Sequence, residues 1–322
     1  MRWTVSTVDR PFPGSESVGV CAPKDTNIPT SNKIPMQIGI IGVGVIGKRF
    51  VRKLCDAGHE AVVYDINDDQ IEWAREQGAS GADSPRGVAE ECDTVLLALP
   101  GTPEVEATME DGGLVDALTE DHLIVDVTTT LPETSIACDE WCAEQGASFL
   151  EGPITGAAPR EGFQIMIGGI QADYEAAQDV LDVICEGHTR IGEMGDATIF
   201  KLGLQMRYAG HAAFDAEVVE YLRDHGVDPR PFNDFLGMDI WEKYFTGDFS
   251  PVIEGLGGLA IWHKDIGYAH EVARQNETAI PLTTALHEAY KASVRFASEE
   301  EGHASALIRY WETLNDAEDR YD

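Results

Sequence analysis

One lysine stands out because the surrounding sequence contains almost no others. Lys201 is the only lysine among residues 54–242, and it lies between the apolar residues Phe200 and Leu202. Burying an unpaired ammonium group costs a large amount of free energy, so a lysine at such a position needs a partner or a use. We interpret Lys201 as a candidate proton-exchanging residue. The alternative is a lysine whose aliphatic stem packs at a domain boundary while its charge reaches water.

A glycine-rich turn near the start of the chain predicts a dinucleotide site. A G-x-G-x-x-G fingerprint follows an apolar strand pattern at 36–41 and opens a helical pattern, as the motif requires. Its glycines permit a tight turn, a close approach of the backbone to a pyrophosphate, and close packing of helix on sheet. The helix N-terminus would present N–H groups to the phosphates. The residues of the fingerprint are Gly42, Val43, Gly44, Val45, Ile46 and Gly47.

An acidic residue after the second predicted strand indicates which dinucleotide is bound. Asp65 follows the apolar run 60–64 and is placed to accept hydrogen bonds from the ribose hydroxyls of adenosine. A 2′-phosphate at this position would meet a carboxylate, so the sequence predicts NAD, with NADP less favoured. The alternative for Asp65 is a residue that caps the end of a strand or lies in a solvated turn.

The pattern of apolar residues predicts two kinds of architecture in succession. Short apolar runs alternate with amphipathic segments up to about residue 194, which is typical of a parallel sheet with crossover helices. Helical patterns then cover about 196–225, 229–246, 254–275, 281–298 and 304–320. We therefore predict an α/β fold, a Rossmann-type doubly wound sheet followed by an all-α C-terminal domain. Its parts are a disordered extension at 1–35, an NAD-binding domain at 36–194 and a helical substrate and oligomerisation domain at 195–322. Met36 is a candidate start of translation.

Composition limits the classes of partner. The chain has 57 acidic and 23 basic residues, a formal net charge of −34, and its acidic residues are spread along the whole length. This charge suits a salt-rich cytoplasm, as in a halophile, although an ordinary acidic bacterial enzyme is the alternative. The lack of a basic stripe disfavours nucleic acid and anionic membranes. Neither metal-ligand spacing, nor a signal peptide, nor an apolar run long enough for a membrane helix is evident, so we expect a cytoplasmic protein without a metal.

Five short segments carry a resemblance to a known family. In chain order they are residues 99–100, 126–132, 151–157, 195–201 and 263–265. The middle three are similar to an Asp-x-Ser-Thr-x-x-Pro motif, an Asp-Ala-Pro-Val-Ser-Gly-Gly substrate loop and a Gly-x-Gly-x-x-x-Lys catalytic segment. The last is similar to a Lys-Asp pair beside a nicotinamide. In this order they resemble the β-hydroxyacid dehydrogenase family, the 3-hydroxyisobutyrate and tartronate-semialdehyde enzymes that are related to 6-phosphogluconate dehydrogenase.

The resemblance implies an activity and a set of roles. The enzyme would transfer a hydride between a small 3-hydroxy acid, or the matching semialdehyde, and NAD, with Lys201 as proton donor and acceptor. The substrate would be held by Thr155, Gly156, Ala157 and Gln205. The nicotinamide side of the cofactor site would be lined by Leu99, Pro100, Thr129 and Lys264. The resemblance also implies a homodimer or a homotetramer.

The chain departs from the family pattern at the substrate. Gln205 replaces an asparagine one helical turn after the lysine, Thr155 replaces a serine, and Ala157 replaces a glycine. These changes narrow and alter the pocket, so no named substrate can be transferred. Two alternatives are an imine reductase of the same fold and a dinucleotide-binding sensor without catalysis. Imine reductases typically replace the lysine by Asp or Tyr, and non-catalytic relatives lose it. The presence of Lys201 therefore disfavours both alternatives.

Overall fold

The computed structural model describes residues 35–156, 162–236, 259–296 and 307–315. The predicted disordered extension, apart from residue 35, lies outside these described residues, and so do Ala157 and residues 237–246 of a predicted helix. In the described part before residue 152, strands and helices alternate. In chain order they are β1 (Gln37–Ile41), α1 (Val45–Asp56), β2 (Glu60–Tyr64), α2 (Asp68–Glu76), β3 (Ser80–Gly81), α3 (Pro85–Glu91), β4 (Thr94–Leu97), α4 (Thr102–Met109), α5 (Leu114–Ala117), β5 (Leu123–Asp126), α6 (Pro132–Glu144) and β6 (Ser148–Glu151).

These strands form a parallel sheet in the order β3-β2-β1-β4-β5-β6. The chain moves outward from β1 in one direction and then, after β3, returns to β4 on the other side. The strand order therefore reverses between β1 and β4, and ligands of such sheets bind at this point, beyond the carboxyl ends of the strands. The predicted Rossmann-type doubly wound sheet is confirmed. Asn67 caps α2 by accepting a hydrogen bond from the Asp69 N–H at 3.0 Å.

The sheet continues past β6 with a change of direction. The additional elements are β7 (Ile154–Thr155), β8 (Gln164–Gly168), α7 (Gln171–Ile184) and β9 (Gly187–Gly192). Strand β8 runs antiparallel to β6 and β7, and β9 runs parallel to β8. The last strand ends at Gly192, and only helices follow in the described residues.

Apolar side chains cover both faces of the sheet. Ile38 and Ile40 of β1 face one core, which α1 and α7 complete, whereas Ile41 faces a second core between the sheet and α3, α4 and α6. Alternation of side chains along each strand explains how one strand supplies both cores. Because each fully buried aliphatic side chain stabilises the fold by roughly 1.5–3 kcal/mol, the two cores hold the carboxyl edge of the sheet in a defined position.

The C-terminal part of the described chain is helical. It contains α8 (Asp196–Asp224), α9 (Pro231–Leu236), α10 (Leu259–Gln275), α11 (Pro281–Phe296) and α12 (Leu307–Leu314). A third core forms where the small side chains Ala209, Ala212 and Ala216 of α8 let Trp262 and Tyr290 pack closely. Throughout the described ranges, no helix has both the length and the apolar character needed to cross a bilayer.

Candidate active site

The glycine-rich turn has the geometry of a ligand-binding loop. Gly42 has φ +94°, and a side chain there would collide with the carbonyl oxygen of Ala98. A Cβ at Gly47 would collide with the carbonyl oxygen of Gly42, whereas a Cβ at Gly44 would meet nothing within 4 Å. The first and third glycines are therefore required by the fold, and the second borders open space into which a pyrophosphate fits.

Helix α1 directs its N-terminus toward this open space. It begins at Val45, no side chain caps it, and its first turn contains no acidic residue. The first N–H groups of a helix have no partner within the helix, so those of Val45 and Ile46 suit an anion. The N–H of Val43 instead donates to Asp65 Oδ2 at 2.7 Å. Val43 therefore orients the carboxylate that the sequence predicts to bind the ribose.

The surroundings of Asp65 are strongly acidic. Its other oxygen, Oδ1, accepts a hydrogen bond from the Asn67 N–H at 2.9 Å, so the carboxylate is held at both oxygens. A cavity of about 530 Å³ opens beside it, and its charged lining residues are Asp65, Asp68, Asp69, Glu72, Arg75 and Asp83. The guanidinium of Arg75 lies 3.5 Å from Glu72. A 2′-phosphate in this cavity would meet five carboxylates and one cation, which favours NAD over NADP.

Alanine substitutions at Gly44 and Gly47 are expected to separate the requirements of the cofactor from those of the fold. G44A should unfold at the same denaturant concentration as the parent, because its Cβ enters open space, but it should bind NAD more weakly. G47A should lose about 1–3 kcal/mol of unfolding free energy, because its Cβ collides with backbone. Denaturant titration and NADH fluorescence measure the two effects. G44A binding NAD as tightly as the parent would contradict this assignment.

A lysine from the helical region joins the loops that follow β4 and β5. Lys264 Nζ in α10 donates to the carbonyl oxygens of Pro100 at 2.9 Å and Thr129 at 3.1 Å. The hydroxyl of Tyr268, one turn further along α10, accepts a hydrogen bond from the Thr102 N–H at 3.1 Å. The structure thus brings together three residues that the sequence analysis placed beside the nicotinamide. The fourth, Leu99, donates its N–H to Thr128 Oγ1 at 3.1 Å.

Lys201 lies in the first turns of α8 and is 6% exposed. Within the described residues, no hydrogen bond reaches its ammonium group. Burial is the main reason that the pKa of Lys201 is lowered to about 8; Lys264 lowers it further, and Asp265 partly opposes both. The pKa of Lys201 is thus perturbed by the protein itself, and the group can exchange a proton near neutral pH.

A buried carboxylate sets the start of the helix that carries Lys201. Glu151, at the end of β6, accepts hydrogen bonds from the backbone N–H groups of Ala197 at 2.9 Å and Thr198 at 3.3 Å, and from Thr198 Oγ1 at 2.5 Å. Burial raises the pKa of Glu151 while these donors lower it. Glu151 is the first residue of the segment 151–157 that resembles a substrate loop, and that resemblance assigns it no role. A carboxylate at this position accepts from N–H groups that have no partner within the helix and interacts favourably with the helix dipole.

Gln205 lies one helical turn after Lys201 and also faces inward, with 6% of its surface exposed. Its side-chain Nε2 donates to Asp265 Oδ2 at 2.5 Å, and Asp265 is 1% exposed. The other oxygen of Asp265 lies 3.2 Å from Lys264 Nζ. Lys201, Gln205, Lys264 and Asp265 therefore form one polar cluster between α8 and α10. Sequence analysis predicted the first three, and the only signal for Asp265 was its place in the Lys-Asp pair.

The predicted substrate loop is described only in part. Thr155 lies in β7 opposite Gln164 of β8, and Gly156 is close enough to Phe163 that an added Cβ would approach its ring to 3.3 Å. Ala157 lies outside the described residues. No described hydrogen bond joins Thr155 or Gly156 to the polar cluster, so their role in holding a carboxylate stays a prediction. The described ranges also contain no group of three or more side chains arranged to hold a metal ion.

Comparison with known proteins connects this site to a family. A family model for the NAD binding domain of 6-phosphogluconate dehydrogenase matches residues 37–195. The chain is 25% identical over 295 residues to 2-(hydroxymethyl)glutarate dehydrogenase from Eubacterium barkeri, covering 87% of this chain and 96% of that protein. It is 26% identical over 270 residues to the mitochondrial 3-hydroxyisobutyrate dehydrogenase of Mus musculus, covering 79% of this chain and 81% of that protein.

Solved structures share the fold over nearly their whole length. Mycobacterium tuberculosis 3-hydroxyisobutyrate dehydrogenase with L-serine matches with a TM-score of 0.76 at 20% identity, covering 86% of this chain and 99% of that one. An imine reductase from Streptomyces aurantiacus matches less well. Its TM-score is 0.54 at 17% identity, and the match covers 86% of this chain and 99% of that one. Sheet, glycine turn and sequence matches agree: residues 37–195 belong to the family of the NAD binding domain of 6-phosphogluconate dehydrogenase, and the chain as a whole is similar to the β-hydroxyacid dehydrogenases, which are NAD(P)-dependent enzymes acting on CH–OH groups.

Proposed function

We propose that this chain transfers a hydride between a small 3-hydroxy acid and NAD, or reduces the matching semialdehyde, and that Lys201 exchanges the proton. The observation that carries the proposal is the buried amine of Lys201, with its pKa lowered to about 8, in a polar cluster joined to the loops after β4 and β5. Bound NAD supplies the hydride acceptor. Gly44, the N-terminus of α1 and Asp65 would hold its pyrophosphate and ribose.

Lys201 acts in both directions of the reaction. In oxidation, the neutral amine accepts the proton of the substrate hydroxyl, and in reduction the ammonium returns it to the carbonyl oxygen. The low exposure of the site strengthens the interaction of this group with charge that develops on oxygen. Thr155, Gly156 and Ala157 would hold the substrate carboxylate, with Gln205 beside it. The hydroxy acids in the names of the two relatives support this substrate class.

NAD is proposed as the preferred cofactor because of the acidic cavity beside Asp65. The net charge of −34 supports a salt-rich environment for the protein, since about 1 M salt shortens electrostatic repulsion to roughly 3 Å. An imine reductase activity is the second candidate because such an enzyme shares the fold. Lys201 disfavours it, since that group typically carries Asp or Tyr at the corresponding position.

A panel of substrates tests the proposal in about 1 M KCl, the salt that so acidic a protein requires. Small 3-hydroxy acids are offered with NAD or NADP, and cyclic imines and semialdehydes are offered with the reduced cofactors. We expect turnover of at least one 3-hydroxy acid, with kcat/KM higher by about tenfold or more for NAD. Turnover of imines alone would identify an imine reductase. Tight NAD binding without any turnover would identify a sensor.

A further inference from the structure

The buried pair formed by Gln205 and Asp265 determines which end of the glutamine amide faces the site. Asp265 Oδ1 lies 3.2 Å from the ammonium of Lys264 and forms an ion pair with it. A charged carboxylate only accepts hydrogen bonds, so the group that meets Asp265 Oδ2 at 2.5 Å is the NH₂ of Gln205. The amide oxygen, Gln205 Oε1, is therefore directed elsewhere.

The free end of this amide belongs to the same helix face as Lys201. Residues four apart share one face of a helix, and Lys201 and Gln205 are both almost buried on the inward face of α8. No described hydrogen bond reaches Gln205 Oε1. The helix face thus offers a nitrogen that exchanges the proton of the reacting hydroxyl and, next to it, an oxygen that can only accept.

We propose that Asp265 is a positioning residue that holds Gln205 with its oxygen toward the substrate, and that the substrate carries a hydrogen-bond donor on the carbon next to the reacting one. The substrates of this class are 3-hydroxy acids with a hydroxyl or ammonium group at C2. When an analogue without the donor binds, Gln205 Oε1 is removed from water and has no hydrogen-bond partner. The free-energy cost of that unpaired oxygen lowers kcat/KM for the analogue. The proposal rests on the function proposed above.

Two acids that differ only in the donor test the inference. Glycerate carries a hydroxyl at C2 and 3-hydroxypropionate carries hydrogen there; serine, with an ammonium group, is a third member. Both enantiomers of glycerate and serine are measured with NAD in the unmodified enzyme. We expect kcat/KM to be about 10- to 100-fold higher for at least one acid with a donor.

Variants separate the contact from the intrinsic reactivity of each acid. Q205M has a side chain of similar length without the acceptor oxygen. The ratio of kcat/KM for an acid with the donor to kcat/KM for 3-hydroxypropionate should therefore fall by about tenfold or more. The control is Q171M in α7, where Gln171 Nε2 donates to Glu175 Oε1 at 2.8 Å in an exposed pair of the same type. Q171M should keep the preference of the parent.

Substitution of Asp265 tests its positioning role. D265A should reduce the preference for the donor although residue 265 does not touch the substrate, and D265N, which retains an acceptor oxygen, should restore part of it. Because the charge of Asp265 favours protonated Lys201, both variants should move the pH dependence of oxidation to lower pH. A purely structural role would lower the rates of all acids alike and leave the preference for the donor unchanged.

The outcomes distinguish this inference from the proposed function. Equal kcat/KM for glycerate, serine and 3-hydroxypropionate overturns the inference and leaves the 3-hydroxy acid function standing. An unchanged preference in Q205M also overturns it, since Gln205 Oε1 would then bond to Lys201 rather than to the substrate. No turnover of any 3-hydroxy acid contradicts the proposed function itself. If D265A does not fold, the comparison of Q205M with Q171M still decides.

Discussion

K201M is expected to lower kcat by a factor of about 10²–10⁴, the range typical of a positioned acid–base group. Methionine retains an unbranched apolar stem as long as that of lysine and removes the proton-exchanging amine. Because burial already disfavours the ammonium of Lys201, its removal should not lower the free energy of unfolding. NAD should bind as in the parent, because Lys201 lies in the helical region and the glycine turn is unchanged. Steady-state kinetics and NADH fluorescence measure the two quantities.

The same residue predicts the direction of the pH dependence. With its pKa lowered to about 8, Lys201 is mostly protonated at pH 7 and mostly neutral at pH 9. Oxidation needs the neutral amine, so its kcat should rise as the pH increases through about 8 and should level off above about pH 9. Reduction needs the ammonium and should fall above that pH. This titration should disappear from the residual activity of K201M.

A second lysine supplies the control for K201M. Lys291 lies in α11 with about half of its side chain exposed, and its ammonium is 3.4 Å from Glu288. K291M removes the same group from a position outside the polar cluster and should keep kcat within about twofold, because exposed ion pairs contribute little. If K201M turned over the substrate nearly as fast as K291M, Lys201 would be a packing residue at the boundary and not the proton carrier.

E151A is expected to lower the free energy of unfolding by about 3 kcal/mol, because it leaves buried donors at the start of α8 without an acceptor. These donors are the N–H groups of Ala197 and Thr198 and the hydroxyl of Thr198. E151Q should cost only about 1 kcal/mol, since its amide oxygen still accepts from the N–H groups. What is lost is the charge at the helix N-terminus and the second acceptor oxygen, which receives the Thr198 hydroxyl. Denaturant titration measures the free energy of unfolding of each variant. The dependence of that free energy on denaturant concentration is compared between the variants as well.

An exposed glutamate provides the reference for this substitution. Glu175 in α7 accepts one hydrogen bond from Gln171 at the surface. E175A should change the free energy of unfolding by no more than about 0.5 kcal/mol. Because α8 carries Lys201, E151A should also lower kcat at denaturant concentrations where it is still folded. An E151A protein as stable as E175A would show that other groups hold the start of the helix.

The elements missed by sequence reasoning are the short ones. Strand β3 has two residues, Ser80 and Gly81, and α5 has four, so neither is long enough to show a period of its own. Helices α3 and α4 have seven and eight residues, each with a proline in the first turn, so they too are short for a helical period to be recognised. Long elements were predicted closely: residues 196–225 were expected to be helical, and α8 spans Asp196–Asp224.

Within the candidate site, local motifs and distant contacts differ in how well they can be predicted. The glycine turn and the positions of Lys201 and Gln205 on one helix face depend on neighbours in the sequence. The contacts of Glu151 with Ala197 and of Gln205 with Asp265 join residues 46 and 60 positions apart. Such pairs depend on how helices dock on the sheet, which local propensity does not encode.

By itself, the sequence determined the fold class, through the period of apolar residues, and the lysine on which the proposed chemistry depends, through its place in the chain. The family was indicated by the resemblance of five short segments to known motifs. Only the tertiary structure decided the pKa of that lysine. Docking of α10 against α8 brings Asp265 and Lys264 to Lys201, and burial lowers its pKa to about 8. Desolvation and charge act through space, so a pKa and a substrate preference arise only when distant segments are packed together.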